Sequence, residues 1–159
     1  MSDNGQEMTL EALRSVPLFG SLDDHAAVEL RELLAFEDIP AEQQLFHKGD
    51  GGDAMYLIES GRVRISITDE DGTEVTLADL AQGDFFGEMA LIDGRMRSAD
   101  ARVVEDARLA ILSRPAFLAF VRSNPDVALE MLSALTDRLR RTDELLRSRV
   151  SRNVNEEQA

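Results

Sequence analysis

Residues 83–103 read GDFFGEMALIDGRMRSADARV. Gly83 and Gly87 permit a turn and a close backbone approach, and Glu88 to Ile92 can form one short helical turn. The start of that turn would present N–H groups beside Gly87, where no side chain blocks an anion. Arg97 follows a turn at Asp93-Gly94, and Ser98 and Ala99 after it are small. A helix start, one arginine and one hydroxyl together make a phosphate cradle. Glu88 suits such a place if the ligand also brings a hydroxyl donor, as a ribose does, because an ionised carboxylate only accepts. An anion beside a hydroxylated sugar describes a nucleotide with few phosphates. A triphosphate would require a lysine, a Mg²⁺ ligand and a longer glycine loop.

Outward from this segment the apolar pattern has period two. Val63, Ile65 and Ile67 alternate with Arg62, Arg64, Ser66 and Thr68, the mark of a half-buried strand. Met55 to Ile58 reads as a separate short strand covered on both sides. Asp71-Gly72 signals a hairpin leading to Val75 and Leu77. Short strands with turn residues about every 8–12 positions predict a small antiparallel barrel or jelly roll.

Helical spacing lies on either side. Residues 9–14 can start a short helix that Val16-Pro17 interrupts. Ser21 reads as the N-cap of a second helix carrying Leu22, Ala26, Leu30, Leu33 and Leu34. Pro115 suits a first helical turn. Asn124-Pro125-Asp126 opens a long run in which Leu132, Leu135, Leu139, Thr142 and Leu146 share one face, a core stripe or a dimer seam.

Composition narrows the function. A chain of 159 residues is one domain's worth. There are 17 Lys plus Arg against 31 Asp plus Glu, a net charge of −14. That argues against direct binding of nucleic acid or of an anionic membrane, both of which require a basic face. Cys is absent and only His25 and His47 carry imidazole, so thiolate chemistry and Cys- or His-rich metal sites are excluded. With no nucleophile–base pair evident, a non-enzyme without cofactor is expected. No stretch approaches the roughly 20 apolar residues of a membrane span, and the start MSDNGQEM lacks the pattern of a secretory signal. A cytoplasmic location is the expectation.

Phe86-Gly87-Glu88-Met89-Ala90-Leu91 and Arg97-Ser98-Ala99 resemble the phosphate-binding cassette of the cyclic nucleotide-binding domains. VPLF at 16–19 and GDGGDAMYLIESGRVRI at 49–65 resemble the same family's lead-in and barrel strands. The resemblance implies a mainly β fold, an eight-stranded antiparallel jelly-roll barrel with N-terminal helices and a long C-terminal helix. It places the domain at 1–152, with a helical lead-in at 1–35, the barrel at 36–113, the cassette at 83–100, C-terminal helices at 114–152 and a disordered tail at 153–159.

It also implies cAMP or cGMP as ligand. Glu88 would take the ribose 2′-OH and Arg97 the cyclic phosphate. Ser98 and the backbone from Gly87 to Ala90 would complete the cradle, with Phe86, Met89 and Ala99 around it. Thr142 and Asp143 match the positions where relatives lay a Thr-Ser pair against the base. Asp100 stands where many relatives have an uncharged residue, and Met96 replaces a frequent proline. The expected function is a stand-alone sensor that moves its C-terminal helices on binding and regulates an unknown protein partner in trans, with a homodimer through the C-terminal helix. Two alternatives stay open: a degenerate barrel serving as a protein-interaction module, and the effector domain of a truncated transcription regulator.

Overall fold

The alternation at Val63, Ile65 and Ile67 belongs to a longer strand than the sequence suggests. A computed structural model of the chain describes residues 8–130 together with 132, 133 and 136. In it Ala54–Thr68 is one strand, β3, which contains both expected strands. Gly61 does not reverse the chain. It has φ +89°, and a Cβ there would lie 2.3 Å from Asp106 O and 2.5 Å from Ala107 Cα. Glycine therefore lets β3 cross its neighbour closely and bend. The pairing register shifts between Ile58 and Ser60, between Ser60 and Arg62, and between Arg62 and Val63, where bulges bend the strand without ending it.

The partner is β6, Asp100–Ser113, antiparallel from Ala54↔Ser113 to Ser66↔Asp100. The remaining strands are β1 (Ala35–Ile39), β2 (Gln44–Phe46), β4 (Glu74–Leu80) and β5 (Phe85–Phe86). They give a six-stranded sheet of order β1-β6-β3-β4, with β2 on β6 and β5 on β3. The fold is mainly β with flanking helices, as expected, but the sheet is not closed into the expected eight-stranded barrel. Among the described residues the sheet has six strands and does not close, and β3 is continuous where two strands were expected. The hairpin before β4 forms at Asp69–Thr73: Asp69 N–H donates to Thr73 O at 2.9 Å, and Gly72 takes φ +85°.

The lead-in holds α1 (Leu10–Arg14), a 3₁₀ turn at Pro17–Phe19 and α2 (Asp24–Leu33). Thr9 caps α1 through its hydroxyl. For α2 the cap is Asp23 rather than Ser21, since the Asp23 carboxylate accepts from Ala26 N at 2.8 Å. A carboxylate at this position also faces the positive end of the helix dipole. After the sheet, Ser113 caps α4 (Arg114–Ser123), with Pro115 in its first turn.

Two apolar clusters hold these parts together. Leu13, Phe19 and Leu30 of the lead-in pack with Met55, Leu57, Leu112 and Phe120, joining the helices to the back of the sheet. Ile58, Val63, Phe86, Val103 and Leu109 form a second cluster within the sheet. Each fully buried large side chain contributes roughly 1.5–3 kcal/mol. Leu91 belongs to the first cluster and is fully buried, so the cassette is bolted to the helical layer. Helical backbone resumes at 125. Thr142, Asp143, Leu135, Leu139, Leu146 and the tail from Asn153 lie outside the described residues.

Candidate functional site

The short β5 leads into α3, Glu88–Asp93, so that Gly87 links sheet to helix. Gly87 is the N-cap of α3 and takes φ 80°, a left-handed conformation that disfavours a Cβ. A Cβ on it would also lie 2.7 Å from Arg97 Nη1. Gly94 closes α3 at φ 65°, its N–H donating to Ala90 O at 3.0 Å. The chain then returns to Arg97, beside the start of α3. Of the first-turn amides, Ala90 N–H already donates to Gly87 O at 3.1 Å.

Arg97 is only 7% exposed and, with Ser66, one of two buried polar side chains among the described residues. Its Nη2 donates to Ala54 O at 2.8 Å and its Nη1 reaches Gly87 O at 3.5 Å. Nε is buried with no hydrogen-bond partner. Among the described residues no carboxylate pairs with this guanidinium. Instead its carbon lies 4.2 Å from the centre of the Phe46 ring. A guanidinium cannot shed its charge, and burying one without an anion is costly.

The glycine-rich loop at 49–53 clamps this arginine. Gly49 N–H donates to Arg97 O at 2.8 Å, Arg97 N–H donates to Asp50 O at 2.7 Å, and Gly51 bridges to Met96. Gly52 lies so close that a Cβ would sit 2.8 Å from Ala90 Cβ and 3.1 Å from Arg97 Nε. Asp100 faces this loop and not the cradle. Its carboxylate accepts Lys48 N–H at 2.6 Å and lies 3.9 Å from His47 Nδ1.

These parts surround a cavity of about 410 Å³. Phe86 to Ala90 and Arg97 to Ala99 all line it, with Phe46 and Ile65 as the apolar wall behind. Ser98 is exposed at its edge, Glu88 is half-buried, and Met89 is 60% exposed. Tyr56 stacks on Phe86 behind the wall. Burial raises the Tyr56 phenol above its ordinary value, against the pull of Arg97, so the hydroxyl stays protonated at neutral pH. Arg97, a second and exposed pair of Arg95 and Asp93, the Glu88 carboxylate, the Ser98 hydroxyl and an apolar wall share one small cavity, which suits an anionic, hydroxylated, partly apolar molecule.

Residues 36–124, more than half of the chain, match the cyclic nucleotide-binding domain family. The chain belongs to that family. The cyclic AMP receptor protein of Thermus thermophilus is 45% identical over 104 residues, 65% of this chain and 48% of that protein. Among solved structures, the N-terminal domain of a transcriptional regulator from Streptomyces coelicolor superposes with TM-score 0.79 at 32% identity, covering 85% of this chain and 94% of that one. The regulatory domain of Toxoplasma gondii PKA, co-crystallised with cAMP, gives TM-score 0.69 at 30% identity over 76% of this chain and 46% of that one. The chain spans about half the length of the curated relatives it matches.

As a cyclic nucleotide-binding domain, the chain brings eight of the ten residues singled out from sequence to one cavity; Thr142 and Asp143 lie outside the described residues. Sequence reasoning missed Phe46 and the contacts of Gly52 and Ala54 with Arg97. The signal for the loop was the spacing of Gly49, Gly51 and Gly52, three positions without side chains beside a segment that must approach closely. Nothing local marked Phe46. No described helix is long and apolar enough to cross a membrane, and no metal-binding group of His, Asp and Glu occurs among the described residues.

Proposed function

We propose that this domain is a cyclic nucleotide sensor that takes cAMP or cGMP into the cavity beside Arg97. The observation that carries the reading is the buried Arg97 guanidinium, lining a cavity and paired with no carboxylate among the described residues. A cyclic phosphate supplies the missing anion. Glu88 accepts from the ribose 2′-OH. The Ser98 hydroxyl and the cassette backbone complete the cradle, and Phe86, Met89, Ala90 and Ala99 flank the sugar and phosphate. Thr142 and Asp143 are proposed to meet the base. With a net charge of −14 the chain as a whole repels the ligand, so the local field of Arg97 has to prevail. A charge-assisted hydrogen bond contributes roughly 1.5–3 kcal/mol, which is tenfold or more in affinity.

The output follows from the packing of the cassette. Leu91 of α3 is buried in the cluster that contains Phe117 and Phe120 of α4. Ligand that draws the cassette inward moves α4 and the helical residues after it. The nucleotide shifts that equilibrium only by its differential affinity for the two positions. The moved helices regulate a protein partner in trans, and a second copy of the chain pairs through the C-terminal helix.

Calorimetric titration with cAMP, cGMP and uncyclised 5′-AMP, followed by hydrogen exchange over residues 114–123, tests the reading. Saturable binding of one cyclic nucleotide with altered exchange in α4 is the expected result. Binding of neither cyclic nucleotide overturns the sensor, and binding without altered exchange overturns the switch. A second reading makes this the effector part of a transcription regulator. The Streptomyces coelicolor domain, 94% of which is covered, supports it. The reading frame past Ala159 tests that alternative.

A further inference from the structure

The buried cation of the site, Arg97, lies against aromatic rings. The Arg97 guanidinium carbon lies 4.2 Å from the Phe46 centroid and 5.8 Å from that of Tyr56. Phe46 ends β2, Tyr56 lies in β3 and Phe86 in β5, so three strands deliver the aromatic group. Tyr56 and Phe86 stack at 4.9 Å with planes 10° apart, and Phe46 tilts against them at 6.0 and 6.1 Å. Phe46 cannot turn its face from Arg97 without opening this cluster.

We infer that Phe46 is a positioning residue of the anion site, whose ring face holds the Arg97 guanidinium in the orientation that meets the cyclic phosphate. The inference rests on the proposed nucleotide reading for its ligand, but the pairing itself does not depend on it. The electrostatic argument is direct. A ring quadrupole attracts a cation but brings no counter-charge. The chain has 31 acidic residues, and a carboxylate in the place of Phe46 would neutralise Arg97 and compete with the entering phosphate. The ring fixes the cation and leaves its charge for the ligand.

The geometry adds orientation to charge. The ring lies against the guanidinium carbon at 4.2 Å, and Ala54 O accepts from Nη2 at 2.8 Å. These two contacts, one to the carbon and one to Nη2, hold the guanidinium in place before ligand arrives. An arginine ordered in advance spares binding the entropy of ordering it later.

The test uses two substitutions at a half-buried position. Phe46→Leu keeps apolar bulk and removes the π face; Phe46→Tyr keeps the face. Calorimetry with the tighter-binding of cAMP and cGMP should show Phe46→Leu weakened about tenfold and Phe46→Tyr within about threefold of the wild-type chain, tenfold being about 1.4 kcal/mol. Equal affinities for the two variants overturn the inference. A second measurement needs no nucleotide: urea midpoints for the wild type, Phe46→Leu, Arg97→Met and the double variant. Non-additive midpoints, with Phe46→Leu costing less when Arg97 is already Met, support the pairing, and additive ones overturn it. If the wild-type chain binds neither nucleotide, the proposed function falls and this ligand-free cycle alone decides whether ring and cation are coupled.

Discussion

The Asp100 carboxylate accepts the backbone N–H of Lys48 at 2.6 Å, which ties the first residue of β6 to the loop after β2. This carboxylate is the last residue of the cassette and could have repelled a phosphate. It is instead committed to the 47–50 loop, where Asp50 also accepts His47 N–H at 2.8 Å. Asp100→Ala should therefore lower stability by about 1 kcal/mol, the worth of a hydrogen bond to a charged group reduced by the solvent exposure of this one. Urea unfolding reads that loss, and calorimetry should find cyclic nucleotide affinity within about threefold of wild type. A tenfold gain in affinity would mean that Asp100 opposes the ligand after all.

Neighbouring glycines separate close approach from mere flexibility. A Cβ on Gly52 would lie 2.8 Å from Ala90 Cβ and 2.9 Å from Arg95 O, whereas one on Gly51 meets nothing within 4 Å. Gly52→Ala should cost about 1–3 kcal/mol through overpacking and displace Arg97. Thermal unfolding should show that loss, with nucleotide affinity falling alongside it. Gly51→Ala should leave both unchanged or raise stability slightly by restricting the unfolded chain. Similar behaviour of the two variants would contradict the clamp on Arg97.

Glu88 opens α3 and lines the cavity. A carboxylate that accepts a ribose hydroxyl distinguishes ribose from deoxyribose. The ratio of affinities for cAMP and 2′-deoxy-cAMP should be about tenfold or more in the wild-type chain, since a hydrogen bond to a charged group is worth about 1.5–3 kcal/mol. In Glu88→Ala it should fall to near unity. An unchanged ratio removes the assigned role.

Glu59 gives a pH signature at a distance from the cassette. It pairs with Arg108 at 3.0 Å beneath α1, and burial holds its carboxyl above the ordinary value of 4.5, against the opposing pull of Arg108. A carboxyl whose folded pKa is raised binds protons more tightly in the folded state. Its contribution is present at acid pH and is lost as pH rises from 4.5 through the raised value. Urea stability of wild type minus that of Glu59→Gln should fall across this window. A difference that rises or stays flat would show that burial does not govern this group. The exposed pair of Arg64 and Asp79 behaves oppositely: the Asp79 carboxyl is lowered, chiefly by its hydrogen bond from Arg64, so its small contribution disappears as pH falls.

Local signals were legible in the sequence. The cassette, the hairpin at Asp69–Thr73 and the helix at 10–14 each depend on residues within a few positions of one another. The misread features depend on distant partners. The strands expected at 55–58 and 63–67 proved continuous through Gly61, whose closeness to Asp106 and Ala107 is not visible in the chain order. Ser21 and Asp23 are both good caps, and the packing of Leu22 and Ala26 into the helical core decided between them. Phe46 carried no signal because its partner lies 51 positions away (97 − 46) and the two meet only after β2, β3 and β5 have assembled.

Calorimetric titration of the wild-type chain and of Arg97→Ala with cAMP and with cGMP tests the central claim most directly. At least one of the two should saturate the wild-type chain with one nucleotide per chain, and its affinity should fall at least about tenfold in the variant. No binding of either nucleotide by the wild-type chain at millimolar concentration, or the same affinity with and without the Arg97 guanidinium, would contradict the account.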